Sequence, residues 1–363
     1  MTVDGDSSSG RRDRVVEAHR IARHGLRAAA AFSVASIAAL AWPGGGTAWA
    51  ALHLFLAGGV FCVISGTTQM LAITWSASEP TPRRVADTQL GLIAGGATLA
   101  VTARQAGLAA ATALGALLVV AGLVLLGVAL LRIRRTAAVD RYRPAVDGYL
   151  TAVTVGVGGT VLGGMYAGWA GTGPGTRDAH LIVNLYGLFG IVIAATLPYF
   201  VATQLRTRTS RHLTAGRVRA LVAGLAGATA VAAVGALTGA TPATRVGCAV
   251  YAAGVTSLLV FVPTVRRRQV DFAGPRLAGL AAGLAWWVAI TVAWAVTADP
   301  ADDDRLAAGL AVGGYAQIVA VSVAYLAPVL RGGGHVLLTD GFAAMKSWPA
   351  VGALNVAALG AVT

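Results

Sequence analysis

Long apolar runs, repeated from one end of the chain to the other, are the feature that most constrains its fold. A helix needs about 20 mostly apolar residues to cross a bilayer. Eleven runs approach or exceed that length, and none carries Asp, Glu, Lys or Arg in its middle. None alternates apolar and polar residues as the strands of a membrane barrel do, so the pattern predicts an all-α bundle of about eleven (ten to twelve) transmembrane helices. The runs are 27–43, 50–76, 88–103, 107–131, 145–168, 179–204, 218–239, 244–265, 277–297, 306–330 and 349–363.

The composition excludes a soluble fold. Of the 363 residues, 56% are hydrophobic and only 12% are charged, whereas a soluble domain carries roughly 25% charged residues. The two cysteines lie inside apolar runs, which excludes a disulfide scaffold. We therefore expect a basic N-terminal segment, residues 1–26, followed by one helical bundle over residues 27–363.

The charge pattern predicts the orientation. If the N-terminus is cytoplasmic and the runs alternate in direction, 24 of the 28 Lys and Arg residues fall in cytoplasmic segments. This clustering between spans explains the net charge of +13 without any nucleic-acid partner. The Ala-, Gly- and Arg-rich composition is typical of high-GC bacteria of the actinobacterial type, so the bacterial plasma membrane is the predicted location.

Candidate chemistry is sparse. Nucleotide-binding, metalloprotease and serine-hydrolase motifs are absent, and so is a carboxylate pair, so no enzymatic active site is predicted. Pairs of glycines four residues apart recur and predict close helix packing. They are Gly91/Gly95, Gly159/Gly163, Gly235/Gly239, Gly279/Gly283 and Gly309/Gly313.

Histidine carries most of the information about a site. His53 and His180 lie near the outer ends of the second and sixth runs, which both pass from outside to inside. Two imidazoles at one depth are what axial haem ligation, or part of a copper site, requires; the alternative is a pair of interfacial histidines at helix ends. Asn184, one turn below His180, and Gln69 are candidate partners for the second ring nitrogens. The other four histidines fall in predicted cytoplasmic segments, where a solvated role is expected: His19, His24, His212 and His335.

The two runs that carry these histidines are similar to each other. The second reads HLFLAGGVFCVISGTTQMLAITW from His53, and the sixth reads HLIVNLYGLFGIVIAATLPYFVATQ from His180. Both open with His, pass through glycines and reach a Thr at a small-residue step. In this they resemble the NnrS family of haem- and copper-containing membrane proteins and, more broadly, subunit I of the haem-copper oxidases. The resemblance implies a haem or copper bound by His53 and His180. The seventh and tenth runs lack the histidines of that oxidase pattern, so no oxygen-reducing centre is expected.

Two further functions remain open at this stage. The lack of buried charge and the abundance of glycine also suit a cofactor-free permease or channel for a small neutral solute. Because the last apolar run, 349–363, heads outward, a membrane anchor or assembly partner of an external redox domain is the third hypothesis.

Overall fold

The computed structural model describes residues 4–41, 48–168, 173–297, 303–332 and 334–363. These residues are helical almost throughout, and no strand occurs among them. The all-α prediction is therefore confirmed. The helices are α1 Asp4–Ala41, α2 Ala48–Ser76, α3 Arg83–Gln105, α4 Ala109–Arg135, α5 Arg143–Gly168, α6 Gly175–Gln204, α7 Ala215–Thr238, α8 Thr241–Ser257, α9 Arg267–Ala273, α10 Pro275–Thr297, α11 Asp304–Arg331, α12 Gly334–Ala344 and α13 Trp348–Val362.

Within the described ranges, nine helices are long and apolar enough to cross a membrane, which indicates a multi-pass membrane protein. They correspond to nine of the eleven predicted runs. The run 88–103 lies in α3, which has 23 residues but a less apolar sequence, and the run 349–363 lies in α13, which has only 15 residues. The nine are Arg12–Ala41, Ala48–Ser76, Ala109–Arg135, Asp140–Ala167, Gly175–Gln204, Ala215–Thr238, Thr241–Phe261, Pro275–Thr297 and Asp304–Arg331.

One polar residue of α3, Gln89, is explained by its packing against α2. Gln89 of α3 is fully buried, and its side-chain carbonyl accepts hydrogen bonds from Ser65 Oγ (2.6 Å) and Gln69 Nε2 (3.3 Å) of α2. Polar groups that bond across helices cost little in an apolar medium. The other polar residues of α3 are exposed, and they account for most of its lower hydropathy.

The later part of the predicted N-terminal segment packs on α2. Helix α1 runs from Asp4 to Ala41 without an end near residue 26, so the predicted boundary there does not coincide with a helix end. Gly25 of α1 lies so close to Gly66 of α2 that an added Cβ would sit 2.5 Å from the Cys62 carbonyl oxygen. Ala18, Ile21 and Ala22 are buried as well.

Ion pairs join the N-terminal half of α1 to the start of α3. Glu17 pairs with Arg20 (2.8 Å) and with Arg83 (3.0 Å), and Arg20 also pairs with Asp87 (2.9 Å). The hydrogen bond from Arg20 lowers the pKa of the Asp87 carboxyl. The basic residues of this segment thus have structural partners besides their predicted role in topology.

Only some of the predicted glycine pairs lie at helix contacts. A Cβ added to Gly91 or Gly95 meets no atom within 4 Å, so the prediction of close packing was wrong for this pair. The close approach of α3 to α4 occurs one residue further on: a Cβ on Gly96 would sit 2.7 Å from the Gly115 carbonyl oxygen. Spacing alone identifies the glycines but not the face of the helix that meets a neighbour.

Contacts within the chain divide it into two units, Met1–Asn184 and Leu185–Thr363. Both candidate histidines and their neighbours belong to the first unit. Buried tyrosines characterise the second. The Tyr251 hydroxyl donates to the Tyr186 carbonyl (2.8 Å), and the Tyr315 hydroxyl donates to the Leu185 carbonyl (2.7 Å). These hydroxyls satisfy backbone oxygens of α6 in the second unit.

Candidate functional site

His53 is held in place by its own helix. Its Nδ1 donates a hydrogen bond to the carbonyl of Trp49, one turn earlier, at 2.8 Å. The Trp49 indole stacks on the imidazole with ring centres 4.0 Å apart and planes tilted by 27°. Because the carbonyl can only accept, Nδ1 carries the proton and Nε2 keeps its lone pair.

His180 is positioned from a different helix. Its Nδ1 donates to the carbonyl of Gly159 in α5 at 2.7 Å. Gly159 and Gly163 leave the room that this contact needs, since a Cβ on Gly163 would collide with the His180 ring. The Nε2 of His180 therefore also keeps its lone pair.

Asn184 stands beside His180, as the sequence predicted. Its Nδ2 donates to the His180 carbonyl at 2.9 Å and lies 3.1 Å from His180 Nδ1. Its Oδ1 is buried without a hydrogen-bond donor among the described residues. Asn184 thus supports the helix turn that carries His180 and offers one unused acceptor.

The structure brings the two imidazoles together. Their ring centres are 6.3 Å apart and their planes differ by only 2°. Each histidine lies five residues after the start of its span, Ala48 for His53 and Gly175 for His180. Equal offsets on helices predicted to run in the same direction correspond to equal depth.

This separation equals the one expected for two imidazoles bound to opposite sides of one metal, an arrangement that also requires the two Nε2 atoms to face each other. A metal–imidazole nitrogen bond is about 2.0–2.1 Å, and a five-membered ring with bonds of about 1.33 Å places each atom about 1.1 Å from its centre. Ring centres in such an arrangement are therefore about 6.3 Å apart. Both rings are half-buried, and neither Nε2 has a hydrogen-bond partner within the described part of the chain.

The donor set distinguishes between kinds of metal site. No group of three or more His, Cys, Asp or Glu residues lies together among the residues described. A protein site for a bare metal ion usually supplies three or four ligands, whereas a haem macrocycle supplies four nitrogens and needs only axial ligands. Two free imidazole nitrogens fit a haem better than a bare copper ion.

Gln69 is not part of this site. It lies 16 residues beyond His53 on α2, which is about 24 Å at 1.5 Å per residue. Its Nε2 bonds to the Ser65 carbonyl (3.1 Å) and to Gln89 instead. The prediction that its amide assists a histidine ligand was wrong, because the amide lies far from the pair and its Nε2 bonds to Ser65 and to Gln89 of α3 instead.

Among the described residues, the remaining histidines form no second group of metal ligands. His24 lies within 3.5 Å of Asp87, and His212 is contacted by the guanidinium of Arg217 at 3.1 Å. The side chain of His335 lies outside the described residues. No additional imidazole is available near His53 and His180 in the part that the structure describes.

π-helical turns mark the spans that carry the pair. One occupies Leu54–Val60, directly after His53, and another occupies Val183–Gly190, three residues after His180. A third π-helical turn lies at Leu310–Ala316 in α11, and this helix contains no histidine. Such turns are rare and occur frequently at functional sites. Sequence reasoning did not anticipate these three turns, which have no composition signal of their own.

A cleft of about 830 Å³ lies elsewhere in the first unit, between the start of α1 and the 77–82 connection. Its charged residues contact protein groups: Arg14 bonds to the Ala77 carbonyl, Glu17 pairs with Arg83, and Glu79 pairs with Arg132. The cleft therefore has the character of a solvated protein surface and is separate from the histidine pair.

Comparisons with protein-family models, with curated proteins and with solved structures find no match to this chain. The resemblance to the NnrS and oxidase families stays a prediction that is based on the residues of the second and sixth spans.

Proposed function

We propose that this chain is an integral membrane haem protein in which His53 and His180 are the two axial ligands. The observation that carries the proposal is the geometry of the imidazoles, which are nearly parallel with centres 6.3 Å apart. When bound, a haem held by two imidazoles supplies one-electron redox chemistry.

The residues around the pair have distinct tasks. The carbonyls of Trp49 and Gly159 hold the proton on each Nδ1, which leaves the lone pair of each Nε2 free to hold a haem iron. Gly163 keeps the space beside the His180 ring free. If a haem binds here, His53 and His180 would both hold its iron, and the group would supply one-electron redox chemistry. The proposed role is therefore electron transfer without oxygen reduction, which requires a membrane or external redox partner.

We further propose that the chain belongs to the superfamily of haem-copper oxidase subunit I. The support consists of the two similar histidine-bearing spans. This support bears only on the fold. The proposal that the chain binds haem rests separately on the geometry of the two histidines.

The optical spectrum of the purified protein, together with iron and copper analysis, tests the function. Cells supplied with haem precursor and copper should yield protein with one iron per chain and the absorption of a six-coordinate, bis-imidazole haem. If the protein contained copper but no iron, the proposal of a haem would be replaced by that of a copper ion bound by the two histidines. Protein that carries neither metal would overturn the redox proposal and favour the permease or the anchor.

The proposed topology has eleven spans, with α3 and α13 included and the N-terminus in the cytoplasm. Residues 205–214 are then cytoplasmic, and the segment around residue 303 is external. In intact cells, a membrane-impermeant maleimide should label Asp303→Cys, and it should label Ser210→Cys only after the cells are permeabilised. The two native cysteines, Cys62 and Cys248, are buried and give little background. The opposite labelling pattern would contradict both the span list and the orientation.

A further inference from the structure

A cluster of basic and aromatic side chains in the second unit has no role in the proposed haem site. We define this basic–aromatic cluster as Arg206, Arg276 and Lys346 with Phe272, Tyr325 and Phe342. The Arg206 guanidinium lies 4.1 Å from the centre of the Phe272 ring. Arg276 lies over the Phe272, Tyr325 and Phe342 rings at 5.2–5.6 Å, and Lys346 Nζ lies 5.9 Å from Phe272.

Arg276 is the unusual member of the cluster. It is only 1% exposed, and it makes one long hydrogen bond, from Nη2 to the Phe272 carbonyl at 3.4 Å. Its Nε and Nη1 are buried without an acceptor among the described residues. A buried guanidinium that lacks acceptors is costly, and aromatic faces offset only part of that cost.

No carboxylate compensates this charge. Asp271 and Asp340 are the acidic residues closest in sequence to the cluster, and neither forms an ion pair with Arg206, Arg276 or Lys346 within the described ranges. Lys346 bonds only to the Asp271 backbone carbonyl, at 3.0 Å. Three positive charges therefore share one aromatic surface and lack an anion.

The cluster lies at the ends of membrane spans. Arg206 is two residues beyond Gln204, where α6 ends, and Arg276 is the second residue of α10. Phe342 and Lys346 lie at and just after the C-terminal end of α12, a helix that connects α11 to α13. These positions correspond to the depth of lipid headgroups, where basic pockets between spans bind phosphate-bearing lipids.

We propose that the basic–aromatic cluster binds a phosphate group, with an anionic phospholipid headgroup as its source. The free Nε and Nη1 of Arg276 supply paired donors of the kind that match phosphate oxygens. Arg206 and Lys346, both exposed, add charge at the rim. The aromatic rings bury the stems of the cations and face the first part of the acyl chains.

The experiment measures thermal unfolding of the purified full-length chain in a neutral detergent. The titrants are short-chain phosphatidylglycerol, short-chain phosphatidylcholine and inorganic phosphate. Phosphatidylglycerol should raise the melting temperature in a saturable way, whereas phosphatidylcholine, whose phosphate is neutralised by its own choline, should not.

The variants Arg206→Gln and Lys346→Gln each remove one exposed charge and avoid the folding risk of a change at Arg276. Each should raise the half-saturating concentration of phosphatidylglycerol about fivefold. Arg331→Gln is the matched control, because Arg331 ends α11 on the same predicted face and is exposed, and in the described part of the chain its guanidinium lies over none of the cluster's rings. It should leave the titration unchanged.

Equal stabilisation by both lipids, or equal titrations for Arg206→Gln, Lys346→Gln and wild type, would overturn the phosphate site. A different result is possible with inorganic phosphate: saturable stabilisation that the same two variants lose and that phosphatidylglycerol does not produce. That result would support the site and assign it to a soluble phosphate compound.

Discussion

Substitution of either His53 or His180 by alanine is expected to abolish the bis-imidazole haem spectrum. Each ring supplies one of the two axial nitrogens, and no third His, Cys, Asp or Glu in the described part of the chain lies close enough to replace it. Loss of one ligand leaves the metal five-coordinate or releases it, so the six-coordinate absorption should vanish in both variants. The measurement is the absorption spectrum of each purified variant beside its iron content.

Two controls separate ligation from folding. His212→Ala removes an imidazole that contacts Arg217, and Met70→Ala truncates a buried side chain of the same helix as His53. Both should retain the wild-type spectrum. A bis-imidazole spectrum that survives in His53→Ala or in His180→Ala would disprove the assignment of that residue as a ligand.

The second large effect is expected on stability, from Gly96→Leu in α3. The α3–α4 contact leaves no room for a side chain there, since an added Cβ would sit 2.7 Å from the Gly115 carbonyl oxygen and 2.8 Å from the Val119 nitrogen. Backbone atoms on a packed helix cannot move aside cheaply. Overpacking of this kind costs about 1–3 kcal/mol or more, which thermal unfolding in detergent should register as a clearly lower melting temperature.

Gly91→Leu is the matched control on the same helix. A Cβ at Gly91 meets no atom within 4 Å, so its effect should stay within about 0.5 kcal/mol. If both variants melted at the same temperature, close packing of α3 on α4 would not contribute to stability.

Much of the fold was predictable because apolar length is a strong physical constraint. A span must satisfy its own backbone hydrogen bonds in lipid, so run length alone located most of the helices. The same reasoning could not show that Gln89 of α3 points inward, where it bonds to Ser65 and Gln69 of α2. Sequence hydropathy reports the average of a helix and not the direction in which each residue points.

For the candidate site, the sequence predicts only that His53 and His180 lie at the same depth in the membrane. Equal offsets of His53 and His180 in their spans indicated a shared depth, but the separation of their rings depends on helix packing that no local pattern encodes. Gln69 was assigned wrongly for the same reason, because an amide in a span can bond to any helix that faces it. Arg276 was counted as a topology signal, and its burial among aromatic rings has no signature in the sequence.

The π-helical turn at Leu54–Val60 has a consequence for the angular register of α2. A wide turn holds an extra residue, and each residue advances an α-helix by about 100°. Without that turn, the segment before it would be rotated by about that angle relative to Phe61–Ser76. The lower part of α2 packs on α1 through Gly66, while His53 lies beside His180 of α6. Helix α1 contacts α2 on both sides of the turn, through Ala51 and through Gly66. A single-residue deletion within the turn would therefore rotate His53 relative to the Gly66 contact.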